Sequence, residues 1–406
     1  MDKISPRPYK LFNKIQYYEW GTKNNNAYIP HFLGIDVIHD MPYAELWIGA
    51  HPKAPSEIII ESTSYPLDKI ISLYPGECLG DYTAQKFNNT LPFLLKVLSA
   101  ARALSIQTHP NKEQAKQLHT SDPVNYPDDN HKPEIAIAID FLNAVAGFRS
   151  LDEIAANLNK HPELLAFAGK DFDKSPTANK GELQENIRDL YSNIMRSALN
   201  REKLSTVINS IVKRLSDKKD LAPDEEQFLK QFKLYGIDAG LLSFFFFNII
   251  NLKPRQAIFT GAGVPHAYLQ GNIIECMANS DNVVRAGLTN KFQDIETLLK
   301  ILKYDFSGFG ILNEEQKADE LIYKTGAEEF QIVSFNKKRA FRKILRTGNK
   351  PAVILIKDGT VSVEWVENNE QVAKTYTKGE SLFIPAIMSD YKITSDKAEF
   401  FLVEIP

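Results

Sequence analysis

Four side chains carrying metal-ligating atoms fall in three short, separate stretches of this sequence: Gln107 and His109 in LSIQTHP, Glu134 in HKPEIAIAID, and His266 in GVPHAYL. Side chains alternate between faces along an extended strand, so residues 107 and 109 share one face and Ile106 takes the other. A single short strand can therefore present two ligands together. Two imidazoles with one carboxylate form a common donor set for a divalent metal, and the Gln amide oxygen would be an unusual, neutral fourth donor. Around Zn2+ such a set leaves net positive charge, which suits polarisation of a substrate oxygen. A histidine taken alone is more often a surface or hydrogen-bonded core residue, and His31 and His161 read that way.

Cationic side chains accompany the ligands. Lys96 sits in PFLLKVLSA with three apolar residues on either side, and a charge in a strand buried on both faces is costly unless something pairs with it. A cavity holding an anionic ligand would satisfy it; so would an edge strand, where lysine discourages aggregation. Further on, SDNVVRAGLTNK sets Asp281, Arg285 and Lys291 in a polar stretch after the apolar segment YLQGNIIECMA. These charges suit either a solvated surface or recognition of phosphate or carboxylate, for which the planar fork of arginine is well shaped.

Three long blocks, LPFLLKVLSAARALSIQTHP (91–110), NHKPEIAIAIDFLNAVAGFR (130–149) and GAGVPHAYLQGNIIECMANSDNVVRAGLTNKF (261–292), resemble the signature blocks of type I mannose-6-phosphate isomerases. ELWIGAHPKAPS at 45–56 and YEWG at 18–21 resemble that family's N-terminal blocks. The resemblance implies a monomeric, zinc-dependent cupin enzyme interconverting mannose 6-phosphate and fructose 6-phosphate, with one zinc per chain. Carried over motif by motif, the zinc ligands fall on Gln107, His109, Glu134 and His266. The implied substrate pocket falls on Lys96, Ser105, His131, Lys132, Tyr268, Glu275, Asp281, Arg285 and Lys291. One departure stands in NLKPRQAIF, where Arg255-Gln256 replaces the family's more usual Gly-Glu turn. Arg255 must adopt an ordinary φ or accept strain there.

Aldose–ketose isomerisation needs ring opening, loss of a proton beside the carbonyl, an enediol, and return of a proton one carbon along. Within the implied pocket, Arg285 with Lys96 and Ser105 are candidates for orienting the substrate and neutralising its phosphate, and Tyr268 and Lys291 for lining it. His131, Lys132, Glu275 and Asp281 are candidates for proton transfer, for which a pKa near neutrality is best. Glu275 could instead orient a ligand, and Asp281 could cap a helix or turn. Two readings from other classes stay open: an iron-dependent oxygenase, disfavoured by a Gln ligand among several cations, and a non-catalytic sugar-phosphate binding protein. An isomerase for another phosphorylated sugar is the nearest rival.

These residues need a scaffold. At 406 residues the chain exceeds what one hydrophobic core usually supports. Short alternating runs up to about residue 150 (SEIII, PFLLKVL, ALSIQTH, EIAIAID) predict strands, with a helix over NKEQAKQLH capped by Asn111. Between 151 and 235 the apolar spacing changes to three and four, which predicts a helical insertion ending at Gly236. Strand patterning resumes with LLSFFFFNIINL and continues through AIFTG, HAYLQ and NIIECMA, before a short helix in FQDIETLLKIL. The patterning thus predicts a mainly β chain with α, divided into 1–150 with 236–310, a helical insertion over 151–235 and a β lobe over 311–406; the resemblance implies that the first is a cupin jelly-roll unit and the last a second cupin-like lobe. In that last lobe Asp358-Gly359 reads as a hairpin turn, and no histidine is available to bind a metal.

Composition sets the outer bounds. A net charge of −3 gives no global attraction to nucleic acid or to an anionic membrane, so any phosphate attraction must be local. Two distant cysteines, Cys78 and Cys276, argue against a disulfide framework or a Cys-based zinc site. The opening MDKISPRPYKLF has no apolar run of signal-peptide length, and no stretch approaches the ~18 apolar residues of a transmembrane helix. The expectation is a cytoplasmic protein whose partner is a small sugar phosphate.

Overall fold

The computed structural model describes residues 4–169, 180–312 and 319–406. Parts of the expected helical insertion (170–179) and of the expected C-terminal lobe (313–318) lie outside the described residues. Two nine-stranded antiparallel sheets dominate, with a two-stranded ribbon and a block of helices beside them. The mainly-β class with helices is therefore what the chain adopts.

The first sheet contains all four expected metal ligands or their immediate neighbours. Strands Glu45–Gly49, Phe93–Ala100, His266–Ala278 and Glu134–Phe148 lie side by side in that order. Ile106–Thr108 joins it between His266–Ala278 and Val284–Gly287. Strand alternation divides the four main strands into two chemically different faces. One face presents Glu45, Lys96, Glu275 and Glu134; the other presents Leu46, Val97, Ile274, Cys276, Ile135 and Ile137, all fully buried in an apolar core. Glu134–Phe148 takes its sheet partners, Phe247–Leu252, Ala257–Thr260 and His266–Ala278, entirely from sequence beyond the helical segment.

The helices form where the three-four spacing places them: Leu151–Lys160, Pro162–Ala168, Lys180–Ser197, Arg201–Ser216 and Pro223–Tyr235. Ser150 and Glu153 form a reciprocal capping box at the start, and Gly236 stops the last helix with positive φ. Asn111 likewise caps Lys112–Ser121. No helix among the described residues is long and apolar enough to cross a membrane. The LLSFFFFNIINL segment differs from expectation: Gly240–Ser243 is a helical turn and only Phe247–Leu252 is strand. Phe244, Phe245 and Phe246 are buried in the core shared with the helices, and a continuous apolar run does not reveal its period.

In the C-terminal sheet, Asp358-Gly359 is not a hairpin turn. Strand Ala352–Glu367 runs straight through it, with a register irregularity between Ile356 and Asp358 and φ +78° at Gly359. A Cβ on Gly359 would meet the Lys397 carbonyl oxygen at 2.3 Å, so the glycine serves a bulge and a close backbone approach. The hairpin turns instead at Asn368-Asn369, both with positive φ, as a two-residue type I′ connection requires. The early strand Tyr9–Leu11 also belongs to this sheet, pairing with Ser381–Ile384, so the chain's first strand does not join the ligand-bearing sheet. One core spans both sheets, combining Val97, Ile135 and Cys276 with Phe330, Val353, Phe383 and Val403.

Arg255 accepts strain, with φ +71° in the turn before Ala257–Thr260. Its N–H donates to the Ala138 carbonyl at 2.8 Å and its carbonyl accepts from Tyr323 Oη at 2.9 Å, so both sides of the turn are pinned. Arg255→Gly is expected to be about 1 kcal/mol more stable than Arg255→Ala, because both remove the side chain and only glycine removes the Cβ penalty. Paired thermal melts check this; equal midpoints would mean the turn carries no such penalty.

Candidate metal centre and surrounding pocket

His109, Glu134 and His266 are all at least 98 % buried, and one ligand atom from each lies within 4.8 Å of the others. Glu134 Oε2 is 3.1 Å from His266 Nε2 and 3.4 Å from His109 Nε2. The opposite ring nitrogens face backbone oxygens: His109 Nδ1 meets the Asn282 carbonyl at 2.7 Å, and His266 Nδ1 meets that of Val264 at 2.9 Å. A carbonyl can only accept, so His109 carries its proton on Nδ1 and turns the Nε2 lone pair toward Glu134, whereas His266 has an acceptor at each nitrogen, the Val264 carbonyl at Nδ1 and the Glu134 carboxylate at Nε2. His109 Nε2 makes no hydrogen bond. An acceptor buried without a partner costs roughly 1–3 kcal/mol, and a cation between these groups would remove that cost. The donor set therefore fits a divalent metal.

Electrostatics keep His109 and Glu134 in the protonation states a metal needs. Burial pushes His109 down to about 4, against the opposing pull of Glu134, so its ring is neutral at pH 7. Burial alone would raise Glu134, but the Lys132 ammonium, whose Nζ lies 3.0 Å from Oε1, reverses the sign and holds it well below the usual carboxylate range. Lys132 and Glu134 share a face because they are two apart in extended chain. Gln107 is the cross-strand partner of both His266 and Arg285, which puts all three in one row. Its Oε1 accepts from Ser105 Oγ at 3.1 Å.

Lys96 lies in the middle of the sheet, which excludes the edge-strand reading. Its charge is met by protein: Nζ is 3.0 Å from Glu275 Oε2 and 3.6 Å from Glu45 Oε1, and it sits 5.4 Å over the Trp47 ring. Trp47 Nε1 donates to Glu45 Oε2 at 2.6 Å. Burial would lower the Lys96 pKa, but Glu275 and Glu45 overcome it and raise it. Glu275 is raised by burial despite Lys96. Burial also raises Tyr268, whose hydroxyl faces Glu275. Two carboxylates around one ammonium leave this cluster with no spare positive charge for a phosphate.

Asp281 does not cap a turn with its carboxylate. Oδ2 pairs with Lys53 Nζ at 2.8 Å and Oδ1 lies 3.7 Å from His51 Nε2, while its N–H donates to Asp128 Oδ2 at 2.7 Å. His51 packs edge-on against Trp47 at 4.8 Å, which links Asp281 to the Lys96 cluster. Arg285 is half-buried on Val284–Gly287, and no carboxylate pairs with it among the described residues. Burial pulls its guanidinium down from its ordinary value. Lys291 lies beyond that strand and is exposed. His131 stands apart from the other proton-transfer candidates: its Nε2 is 2.7 Å from Glu329 Oε1, from the segment leading into the C-terminal strand Gln331–Lys337.

Glu45, Trp47, His51, Lys53, Asn282 and Glu329 were not among the residues singled out from sequence. For the first two a signal existed, since Glu45 and Trp47 alternate in ELWIG so that both face Lys96. Glu329 had none, because only the docking of the two sheets brings it to His131.

Residues 9–151 match the family model described as "Phosphomannose isomerase type I, catalytic domain". The mannose-6-phosphate isomerase of Mus musculus is 35% identical over 88% of this chain and 89% of its own, and that of Rattus norvegicus 39% identical over 74% of each. A crystal structure of mannose 6-phosphate isomerase from Salmonella typhimurium, bound to fructose 6-phosphate and zinc, matches with a TM-score of 0.84 at 28% identity, covering 98% of this chain and 99% of that one. A structure of mannose 6-phosphate isomerase bound with zinc and yttrium matches with a TM-score of 0.83 over the same shares. Similarity on this scale runs through both sheets and the helices between them, and it establishes that the chain belongs to the type I phosphomannose isomerase family.

Proposed function

We propose that this protein interconverts mannose 6-phosphate and fructose 6-phosphate, using one zinc ion per chain held by His109, Glu134, His266 and the Gln107 amide oxygen. The observation that carries the reading is the buried convergence of His109, Glu134 and His266, with His109 Nε2 lacking a hydrogen bond, in a chain of this family. When bound, zinc would polarise the sugar's carbonyl and hydroxyl oxygens and stabilise charge developing on them, an effect worth several kcal/mol.

The chain's own side chains do the rest. Arg285, with no carboxylate paired to it among the described residues and one strand from Gln107, binds and orients the sugar phosphate; Ser105 and Lys291 are assigned to the same pocket, and Lys96 acts through the carboxylates it holds. Isomerisation removes a proton from C2 of the open-chain aldose and returns one to C1 through an enediol. Of the proton-transfer candidates, Glu275 suits the base, because burial raises its pKa and Lys96 can stabilise its ionised form. The Tyr268 hydroxyl faces it, and Lys132 offers an ammonium beside Glu134 to hold substrate oxygens. Asp281, tethered by Lys53 and His51, remains a candidate for relaying hydroxyl protons.

We further read residues 1–150 and 236–310 as the catalytic cupin unit, 151–235 as its helical insertion and 311–406 as a supporting cupin-like lobe, in a monomeric, cytoplasmic enzyme. A coupled assay of mannose 6-phosphate conversion before and after chelation tests the activity and the metal together. Activity should fall to background with chelator and return on adding zinc at one equivalent per chain. Folded, zinc-loaded protein that does not convert mannose 6-phosphate would sink the reading.

A further inference from the structure

Glu329 is 99 % buried, and its two carboxylate oxygens are treated unequally. Oε1 meets His131 Nε2 at 2.7 Å and Lys112 Nζ at 3.3 Å; Oε2 has no hydrogen-bond partner. A buried carboxylate is expensive to keep, and one serving only to join two sheets could be replaced by an apolar contact at no loss of stability. Its two partners are not arbitrary. His131 lies three residues before Glu134, and Lys112 three residues after His109. Phe330, the next residue, is fully buried in the core that spans both sheets, so the carboxylate sits on an anchored backbone rather than a free loop.

We infer that Glu329, from the C-terminal half of the molecule, is a positioning residue of the isomerisation site that acts through His131. The inference rests on the isomerase reading above. An ionised carboxylate only accepts, so contact at 2.7 Å sets the proton of a neutral His131 on Nε2 and leaves Nδ1 as an acceptor. Burial would raise the Glu329 carboxyl, but the hydrogen bond from His131 and the nearby Lys112 ammonium bring it below its ordinary value, which keeps it an acceptor at neutral pH. Fixing the tautomer and ring orientation of an imidazole in this way is what a buried carboxylate does for a histidine that handles protons or holds a substrate oxygen. The same contact ties the segment entering the Glu134 strand to the C-terminal sheet. The Lys112 pair, half exposed on the lysine side, adds a weaker tie to the segment leaving His109.

The test is a double-mutant cycle in the zinc-loaded full-length enzyme, with Glu329→Gln chosen because it keeps the side chain's volume. Glu329→Gln should lower kcat by roughly 10- to 100-fold, as loss of such orienting partners does, with KM changed less than about twofold and zinc content unchanged. In a His131→Ala background the same substitution should change kcat by less than about twofold, because the group it acts through is gone. Equal losses with and without the imidazole, or kcat within twofold of the parent in the single variant, would overturn the inference. Histidine-selective 15N spectra of the unmutated protein, with the His131 signals assigned by their loss in His131→Ala, give a readout that needs neither turnover nor a folded Glu329 variant. They should show His131 protonated on Nε2, and an Nδ1-protonated neutral ring would overturn the inference. A parent enzyme inactive on mannose 6-phosphate, yet with an Nε2-protonated His131, would count against the isomerase reading and leave the contact standing.

Discussion

Glu134→Gln should lower kcat by at least about 1,000-fold and strip the protein of bound zinc. The carboxylate is the single anion among the proposed ligands, and Lys132, His109 and His266 all converge on it. Glutamine keeps the shape but presents a neutral amide, so the site loses the charge that holds a dication and gains Lys132 as an uncompensated repulsive neighbour. Losing Lewis-acid stabilisation worth several kcal/mol corresponds to a factor of 1,000 or more, at about 1.4 kcal/mol per tenfold. Lys132, mostly buried, also loses its partner, and breaking a buried pair from one side typically costs about 3–5 kcal/mol. The thermal midpoint should therefore fall as well. Metal analysis by mass spectrometry alongside the coupled assay decides the matter. A variant that keeps one zinc per chain and activity within tenfold would remove Glu134 from the donor set.

Arg285→Ala should behave differently, cutting kcat/KM by roughly 100- to 1,000-fold while leaving the fold untouched. Hydrogen bonds to charged groups contribute about 1.5–3 kcal/mol each, and a guanidinium can make two to one phosphate. Since no carboxylate among the described residues pairs with Arg285 and burial disfavours its charge, alanine leaves no buried ion behind. Stability should be unchanged or slightly higher, and zinc should remain at one per chain. Turnover within threefold of the parent, with zinc bound, would show that the phosphate is held elsewhere. The contrast between the two variants is informative: one should lose metal, stability and activity together, the other activity alone.

The triad could be read from sequence because each of its residues lies at or beside the end of a strand, where alternation is local. Gln107 with His109, and Lys132 with Glu134, share faces by virtue of spacing alone. Lys96 was legible as an anomaly, a charge inside an apolar run, but its solution was not. Glu275 and Glu45 reach it only through the register of three strands, from positions 179 residues to its C-terminal side and 51 to its N-terminal side. The same limit hid the Lys53–Asp281 and His131–Glu329 pairs, which form only when distant segments dock. Two local readings failed for reasons of packing. LLSFFFF looks like a buried strand, yet Phe244 to Phe246 are needed in the helical core; Asp358-Gly359 looks like a turn, yet the glycine makes room for the Lys397 backbone. Helix limits fared better, because Ser150, Asn111 and Gly236 act through backbone groups a few residues away.

The order in which the ribosome delivers these segments now matters. His109 and Glu134 leave the tunnel first, and every strand that pairs with Glu134–Phe148 follows the helices. Synthesis from Glu134 to His266 takes roughly 7–26 s at typical translation rates. Until Phe247–Leu252 emerges, the nascent chain carries three of the four proposed ligands, with both edges of the Glu134–Phe148 strand open. Completion of the proposed zinc site is thus a late event in biogenesis, and a chain stalled within the helical segment would present an unpaired strand that chaperones must shield.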